Sequence, residues 1–201
     1  FFRKEDKKMN KFNEKEYHEL CKKFNATPSC NEVEIKFLHK NFFEDMKNNI
    51  TSDRRGEVLF CVVRPNGKII TITCDEYPKG VYRIPTGGIG YGEDIVDALY
   101  REVKEELGLD IEIMEFMGVV KIKFVHGNES EMFYSYMFLL KETGGKLLED
   151  ALDNEVSEVM EVEPKDLEKI SKGLIDIEPE WIDWGKFRFA TTNAVKEFLV
   201  R

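Results

Sequence analysis

The chain has 201 residues, of which 42% are hydrophobic and 12% aromatic, so it can bury a sizeable core and is not globally disordered. Its formal net charge of −9 argues against a general affinity for nucleic-acid backbones. Its four cysteines do not have the spacing of a metal site. No apolar run approaches the ~20 residues of a membrane span, and residues 1–8 lack the apolar stretch of a signal peptide. These features predict a cytoplasmic protein with free thiols that binds neither nucleic acid nor membrane.

The first 54 residues are charged and mostly helical in pattern, and we predict that residues 1–54 form an extension before the main domain at residues 55–201. Four side chains recur at the i, i+3, i+4, i+7 spacing of one helical face: Tyr17, Leu20, Cys21 and Phe24. After a break at residues 27–29, a second helix is predicted to carry six more apolar residues: Val33, Ile35, Phe37, Leu38, Phe42 and Met46. The extension is therefore expected to be a helical hairpin docked on the core.

Strand patterns follow the extension. The apolar run at residues 57–63 predicts a buried strand, the Pro-Asn-Gly sequence at residues 65–67 predicts a hairpin turn, and residues 68–74 are expected to form the returning strand. A third short strand at residues 81–84 is predicted to lead into a glycine-rich loop at residues 85–92.

The next element is predicted to be an amphipathic helix at residues 94–107 that ends at Gly108. Its apolar face carries Ile95, Leu99, Val103 and Leu107. Beyond it, the patterns predict three strands, at residues 111–125, 131–140 and 156–162. A short helix at residues 164–170, an irregular segment at residues 174–184 and a C-terminal helix at residues 188–200 are expected to follow. A mixed sheet flanked by helices is the α/β architecture that these elements predict.

Three carboxylates on the helix at residues 94–107 are the first sign of chemistry. Glu102, Glu105 and Glu106 are spaced i, i+3, i+4 and share one face. Their mutual repulsion costs a few tenths of a kcal/mol per pair, and the carboxyl end of a helix disfavours each anion by roughly 0.3–1 kcal/mol. A hard divalent cation would turn this cost into a binding site. The alternative is an acidic helix face that is simply solvated.

The segment at residues 85–92, Pro-Thr-Gly-Gly-Ile-Gly-Tyr-Gly, precedes these acids. Its glycines would let the backbone approach a ligand. It is not a Walker loop, because no Gly-Lys-Ser/Thr follows, and its glycines have the wrong spacing for a dinucleotide fingerprint. The acids after it would repel a pyrophosphate unless a metal bridged the two.

Residues 87–109 resemble a complete Nudix box, G-x5-E-x7-R-E-U-x-E-E-x-G-U, where U is a bulky aliphatic residue. Every defined position is matched at the right spacing, by Gly87, Glu93, Arg101, Glu102, Val103, Glu105, Glu106, Gly108 and Leu109. The resemblance spans about residues 55–170 and implies an α/β/α sandwich with a mixed sheet, to which the N-terminal helical extension and the C-terminal helix are added. Thr86 departs from the family, which often has glycine there, and so does Gly90, where an acid is often found.

The resemblance also implies how the box works. Glu102, Glu105 and Glu106 would hold Mg²⁺ or Mn²⁺, with a backbone carbonyl near Gly87 as a further ligand. Arg101 would orient a box glutamate through an ion pair, in keeping with its i, i+4 relation to Glu105. The general base varies among relatives.

Candidates for that base are a box glutamate, Glu102 or Glu105, or a later acid, Glu155 or Glu158. The two later acids could equally lie at an exposed strand edge or loop.

Substrate contacts are less specific in the sequence. We expect Gly88, Tyr91 and Glu158 to be candidates for substrate binding, although Tyr91 could serve packing instead of stacking on a base. His126 is a substrate candidate or, more simply, a surface histidine. Trp181 and Trp184 either line a nucleotide pocket or anchor the final helix, and the anchor is favoured.

By resemblance, the chain is expected to hydrolyse a phosphoanhydride bond in a nucleoside diphosphate linked to another moiety, or in a (d)NTP. Two alternatives are a Nudix-fold module that senses a nucleotide without turnover, and an isomerase-like relative for which Cys74 would be the catalytic cysteine. The family habit makes a homodimer an option that the sequence does not decide.

Overall fold

Seven strands join in one mixed sheet in the computed structural model, which describes residues 10–201. The strands are β1 (Ser29–Lys36), β2 (Arg54–Val63), β3 (Ile69–Thr73), β4 (Thr86–Gly90), β5 (Leu109–His126), β6 (Glu129–Gly145) and β7 (Glu158–Val162). Their order is β1-β5-β6-β2-β3-β7, and β4 pairs with β2. The β1–β5 and β2–β6 pairs are parallel, whereas the others are antiparallel.

Helices cover both faces of this sheet. They are α1 (Glu14–Lys23), α2 (Lys40–Ser52), α3 (Ile95–Leu107), α4 (Leu167–Gly173) and α5 (Ile182–Leu199). Within residues 10–201, no helix combines the length and apolar character needed to cross a membrane. Residues 1–8, to which the signal-peptide prediction refers, lie outside the described part of the chain.

Two apolar cores lie on opposite faces of the sheet, because side chains alternate along each strand. On β2, Val58 and Phe60 belong to the core that contains the apolar face of α3, whereas Leu59 and Cys61 belong to the core under α2 and α5. Leu20 of α1 joins the first core, as the helical spacing predicts. The predicted α/β/α sandwich is confirmed.

The predicted helical hairpin at the N-terminus is wrong. The first helix is confirmed as α1, but the segment after the break is strand β1, which pairs in parallel with β5, and only then does α2 begin. Val33 and Ile35 alternate with charged neighbours at a period of two and lie opposite Ile122 and Phe124. The division of the chain at residue 54 remains a prediction, and β1 shares the sheet of the main domain.

Three other elements also differ from the sequence prediction. The segment 81–84 is not a strand, since only Arg83 forms a bridge there, to Ile72. The glycine-rich segment is not a loop, because Thr86–Gly90 forms β4. The final helix begins at Ile182, six residues before the predicted start, after a 3-10 turn at Pro179–Trp181.

Helix α3 follows the sequence prediction closely. Asp94 accepts hydrogen bonds from the backbone amides of Val96 and Asp97, and Gly108 ends the helix in the left-handed conformation with φ of 71°. Its four predicted apolar residues are all buried. The four cysteines are free thiols, and burial raises the pKa of Cys61 to about 12.

A buried carboxylate on α5 caps helix α2. Asp183, only 1% exposed, accepts hydrogen bonds from the backbone amides of Leu38 at 2.9 Å and His39 at 2.7 Å, and its Oδ2 lies 2.9 Å from Nδ1 of His39. The N-cap residue of α2, His39, makes no side-chain cap bond of its own. The anion on α5 therefore satisfies amides at the positive end of α2 and joins the two helices.

We predict that Asp183→Ala lowers the free energy of unfolding by about 1–3 kcal/mol, because it removes the buried carboxylate that accepts hydrogen bonds from the amides of Leu38 and His39. Urea denaturation followed by circular dichroism measures the change. Asp176→Ala, at an exposed carboxylate close by in the chain, is the control and should shift stability by less than about 0.5 kcal/mol. Equal midpoints for the two variants would contradict the capping role.

Candidate active site

Strand β4 brings the glycine-rich segment directly against helix α3. It pairs with β2, with Gly87 opposite Val58 and Gly88 opposite Glu57. A Cβ added at Gly87 would lie 2.1 Å from Cγ of Glu102 and 2.4 Å from its Cβ. Gly87 is thus required for close packing of the helix that carries the carboxylates.

Arg101 is the centre of the hydrogen bonds around the box. Its Nε and Nη2 donate to the two carboxylate oxygens of Glu93 at 2.8 and 3.1 Å, and its Nη1 donates to Glu102 at 2.8 Å and to Glu105 at 2.9 Å. Nη2 also donates to the carbonyl of Gly88 at 3.0 Å. These bonds, first of all the one to Glu93, raise the pKa of Arg101 above its ordinary value. The guanidinium therefore joins β4 to Glu93 and to two of the three box carboxylates on α3.

Glu93 connects this centre to the N-terminal extension. Its Oε2 accepts a hydrogen bond from the amide of Gly90 at 2.8 Å, and the hydrogen bonds from Arg101 lower its pKa. Its backbone carbonyl accepts a hydrogen bond from Arg55 at 2.7 Å, while the same guanidinium binds both carboxylate oxygens of Glu16 on α1. Helix α1 is thereby tied to the start of α3.

Glu106 is the buried member of the carboxylate group. It is 5% exposed, and its Oε2 has no hydrogen-bond partner within residues 10–201. Burial raises its pKa to about 8, while Arg83 lowers it and Glu102, Glu155 and Asp153 raise it further. Burial likewise raises the pKa of Glu102. A carboxylate that is buried without a partner is energetically costly, and a bound cation would remove that cost.

The segment at residues 146–155 packs on the carboxyl end of α3. The amide of Leu148 donates to the carbonyl of Leu107, and the amides of Leu152 and Asp153 donate to the carbonyl of Glu105, at 2.9, 2.9 and 3.1 Å. These bonds satisfy helix carbonyls that would otherwise lack donors. They also bring acids of this segment towards Glu106.

The two late acids from the sequence prediction are placed differently. Glu155 lines a cavity together with Glu106, whereas Glu158 begins β7, pairs in register with Thr73 and hydrogen-bonds the side chain of Tyr82. Of the two, Glu155 is therefore the one that the fold brings to the buried box carboxylate.

The cavity has a volume of about 550 Å³. Its wall includes Cys74, Tyr77, Arg83, Glu106, Asn154 and Glu155. Arg83 is 6% exposed and was not singled out in the sequence. The available signal was a charged residue inside the short apolar run at residues 81–84.

The remaining sequence candidates have other contacts. The hydroxyl of Tyr91 donates to the carbonyl of Ile50, although the side chain is largely exposed. A Cβ added at Gly88 would lie 3.2 Å from the guanidinium carbon of Arg54. Nδ1 of His126 is 3.1 Å from the carbonyl of Phe37.

The two tryptophans pack around Tyr77 behind the cavity. The ring centroid of Tyr77 lies 4.5 Å from that of Trp184 and 6.4 Å from that of Trp181. Trp184 is buried, and neither indole is part of the cavity wall. The packing favours the anchor interpretation over a base-stacking one.

The box carboxylates are not gathered around one point. In the part of the chain from residue 10 onward, no group of three or more His, Cys, Asp or Glu side chains is arranged to hold a metal ion. Glu102 and Glu105 instead accept hydrogen bonds from Arg101. A cation would therefore compete with this guanidinium for carboxylate oxygens, with the free oxygen of Glu106 as its first available ligand.

Comparison with known proteins identifies similar sequences and folds. A family model described as NUDIX domain matches residues 53–184. Nudix hydrolase 10 from Arabidopsis thaliana is 33% identical over 85 residues, which cover 42% of this chain and 30% of the relative. An RNA pyrophosphohydrolase from Ruthia magnifica subsp. Calyptogena magnifica is 33% identical over 57 residues, covering 28% of this chain and 32% of the relative. The chain thus matches about a third of the length of these curated relatives.

Among solved structures, a MutT protein from Methanosarcina mazei Go1 is 18% identical, with a TM-score of 0.43 over 82% of this chain and 99% of that one.

We predict that Gly87→Ala lowers the free energy of unfolding by about 1–3 kcal/mol, because the new methyl group overlaps the Glu102 side chain and forces α3 away from β4. Chemical denaturation measures the loss. Gly173→Ala is the matched control, because nothing lies within 4 Å of a Cβ added there, and it should be neutral or slightly stabilising in its helix. If Gly87→Ala is as stable as this control, β4 does not need its glycine for packing.

Proposed function

The chain belongs to the NUDIX family, whose model matches residues 53–184, and from this premise we propose that it is a Mg²⁺- or Mn²⁺-dependent hydrolase of a phosphoanhydride bond. The substrate class is a nucleoside diphosphate linked to another moiety, or a (d)NTP. The curated relatives carry the names of hydrolases and of a pyrophosphohydrolase, which supports the reaction class and leaves the particular substrate open.

One observation carries the proposal: Oε2 of Glu106 is buried and has no hydrogen-bond partner among the residues from 10 onward. A carboxylate in such a position fits a divalent cation, which prefers oxygen ligands. Glu102 and Glu105 lie on the same helical face and would complete the ligand set, with the carbonyl of Gly87 as a further proposed ligand. Burial and the neighbouring carboxylates raise the pKa of Glu106 to about 8, and a bound cation would lower it again.

When bound, the cation would screen the charge of the phosphate oxygens and polarise the phosphorus. The side chains have separate tasks. Arg101 holds Glu102 and Glu105 in position through its two hydrogen bonds. A carboxylate takes the proton of a water molecule as the water oxygen attacks phosphorus in line, and the phosphate-linked group leaves with the electrons of the broken P–O bond.

For the proton acceptor, we propose Glu105 or Glu102, with Glu155 as the alternative from outside the box. The side chain of Glu105 is 36% exposed and that of Glu102 is 13% exposed, so water reaches Glu105 more readily. Glu155 is exposed and lines the same cavity as Glu106. The contacts of Glu158 with β3 and Tyr82 do not support a role at this cavity.

Two alternative functions have weaker support. A sensing module without turnover would have no need for the complete set of box glutamates that the chain retains. For an isomerase, Cys74 does lie in the wall of the cavity. Burial, however, raises the pKa of its thiol, which disfavours the reactive thiolate.

We also propose a cytoplasmic location and a small-molecule partner. The four free thiols support a reducing compartment, and the net charge of −9 disfavours nucleic acid as a partner. A homodimer remains an expectation from the family resemblance.

A panel of nucleotides and nucleoside diphosphate conjugates, assayed with Mg²⁺ or Mn²⁺ for release of phosphate or nucleoside monophosphate, tests the reaction. We predict that Glu105→Gln and Glu106→Gln each lower turnover by at least about 100-fold with the fold intact, because both carboxylates are proposed ligands. Glu115→Gln, at an exposed position on β5, is the control and should retain activity. Wild-type binding without hydrolysis of any substrate would favour the sensing module, and equal activity in all variants would remove the box from the mechanism.

A second prediction concerns the metal alone. Saturating Mg²⁺ should raise the melting temperature of the wild type by about 3 °C, because a ligand that binds only the folded state stabilises it. Glu106→Gln should be at least as stable as the wild type without metal, since it removes a buried carboxylate without a partner, and it should lose the Mg²⁺ response. Differential scanning calorimetry with and without Mg²⁺ measures both effects, and an unchanged Mg²⁺ response in this variant would exclude Glu106 as a ligand.

A further inference from the structure

Arg83 is a buried cation whose hydrogen bonds all go to neutral acceptors. Its Nε and Nη2 donate to the hydroxyl of Tyr77 at 3.0 and 2.8 Å, and its Nη1 donates to the carbonyl of Ile84 at 3.0 Å and to Oγ1 of Thr86 at 3.1 Å. A guanidinium has five N–H donors, so these bonds leave one N–H of Arg83 without an acceptor. Buried charges are ordinarily paired with an opposite charge, and no carboxylate within residues 10–201 accepts a bond from this one.

Arg83 lies in the wall of the cavity. Glu106 is the buried acid of the same wall. Within residues 10–201, none of the hydrogen bonds of Arg83 goes to Glu106, and Oε2 of Glu106 has no hydrogen-bond partner. The other acids of the wall, Asp75, Glu76 and Glu155, are exposed at the rim. Arg83 is close enough to lower the pKa of Glu106, yet no hydrogen bond joins the two side chains among residues 10–201. One N–H of Arg83 and Oε2 of Glu106 are therefore left without hydrogen-bond partners in that part of the chain.

We propose that Arg83 binds a phosphoryl group of the substrate, whose anionic oxygen atoms accept the N–H that no group among residues 10–201 accepts. This inference rests on the proposed function, because it assigns one end of the diphosphate to the cavity beside Glu106. A sugar or a nucleobase would not supply the charge, whereas a phosphoryl oxygen accepts the free N–H of a guanidinium with a charge-assisted bond.

The surroundings hold Arg83 ready for such a ligand. Thr86 stands where many family members have glycine, and its buried hydroxyl oxygen is an acceptor for this guanidinium. The ring of Tyr77 packs against that of Trp184, with the ring centroids 4.5 Å apart. A side chain held by several partners loses little freedom on binding, so its contact with the ligand is pre-organised.

Titration calorimetry with inorganic pyrophosphate in Mg²⁺ tests the proposal on the full chain. Arg83→Gln should weaken pyrophosphate binding at least tenfold and raise KM for any hydrolysed substrate to a similar degree. Arg83→Lys should recover part of the affinity, because it restores the charge without the planar fork. Arg64→Lys is the matched control, since Arg64 is held by Glu142 and Glu161 away from the cavity, and it should bind pyrophosphate as the wild type does.

Thr86→Val keeps the size of the side chain and Arg83 itself, and it removes only the acceptor oxygen. It should weaken pyrophosphate binding threefold or more, so it decides the question if Arg83→Gln does not fold. The inference is overturned if the folded variants bind pyrophosphate within twofold of the wild type, or if the wild type does not bind it. Turnover with an unaltered KM in Arg83→Gln would overturn this inference alone, whereas Arg83-dependent binding without turnover would overturn only the proposed hydrolysis.

Discussion

The bonds of the Arg101 guanidinium are the interaction on which the site depends. This one side chain holds Glu93 at the start of α3, Glu102 and Glu105 along it, and the carbonyl of Gly88 on β4. Like charges on one helical face would repel each other, and a shared cation within hydrogen-bond distance offsets that repulsion. The arrangement keeps the acidic face ordered, and a metal bound as proposed would share the carboxylates with Arg101.

Two other parts of the chain reinforce this centre from opposite ends of α3. At the amino end, Arg55 joins the Glu93 carbonyl to Glu16 of α1, which lies before the residues that the family model matches. At the carboxyl end, the segment at residues 146–155 donates amides to the last helix carbonyls and places Glu155 in the cavity wall. The extension thus contributes to the position of the box helix as well as to the sheet, through β1.

The sequence predictions of strands β4 and β1 failed because the side-chain pattern of these two segments does not by itself specify a strand. The sequence predicts a loop where β4 lies, because glycines carry no alternating pattern; the strand depends on pairing with β2 and on close contact with Glu102. The sequence predicts a helix where β1 lies, because short apolar runs fit either period. Its parallel partner β5 lies some ninety residues further along the chain and decided the outcome.

Helix α3, its caps and the placing of three glutamates on one face were determined by the sequence alone, because helical periodicity and capping act over a few neighbouring residues. The tertiary structure, by contrast, buries Glu106 with its Oε2 unpartnered among residues 10–201, brings Glu155 rather than Glu158 to it, and places Arg83 in the wall of the same cavity. These features depend on contacts between residues far apart in the chain, and burial is a property of the packed molecule. The Nudix box therefore predicted the carboxylates, and the fold around it supplied their environment.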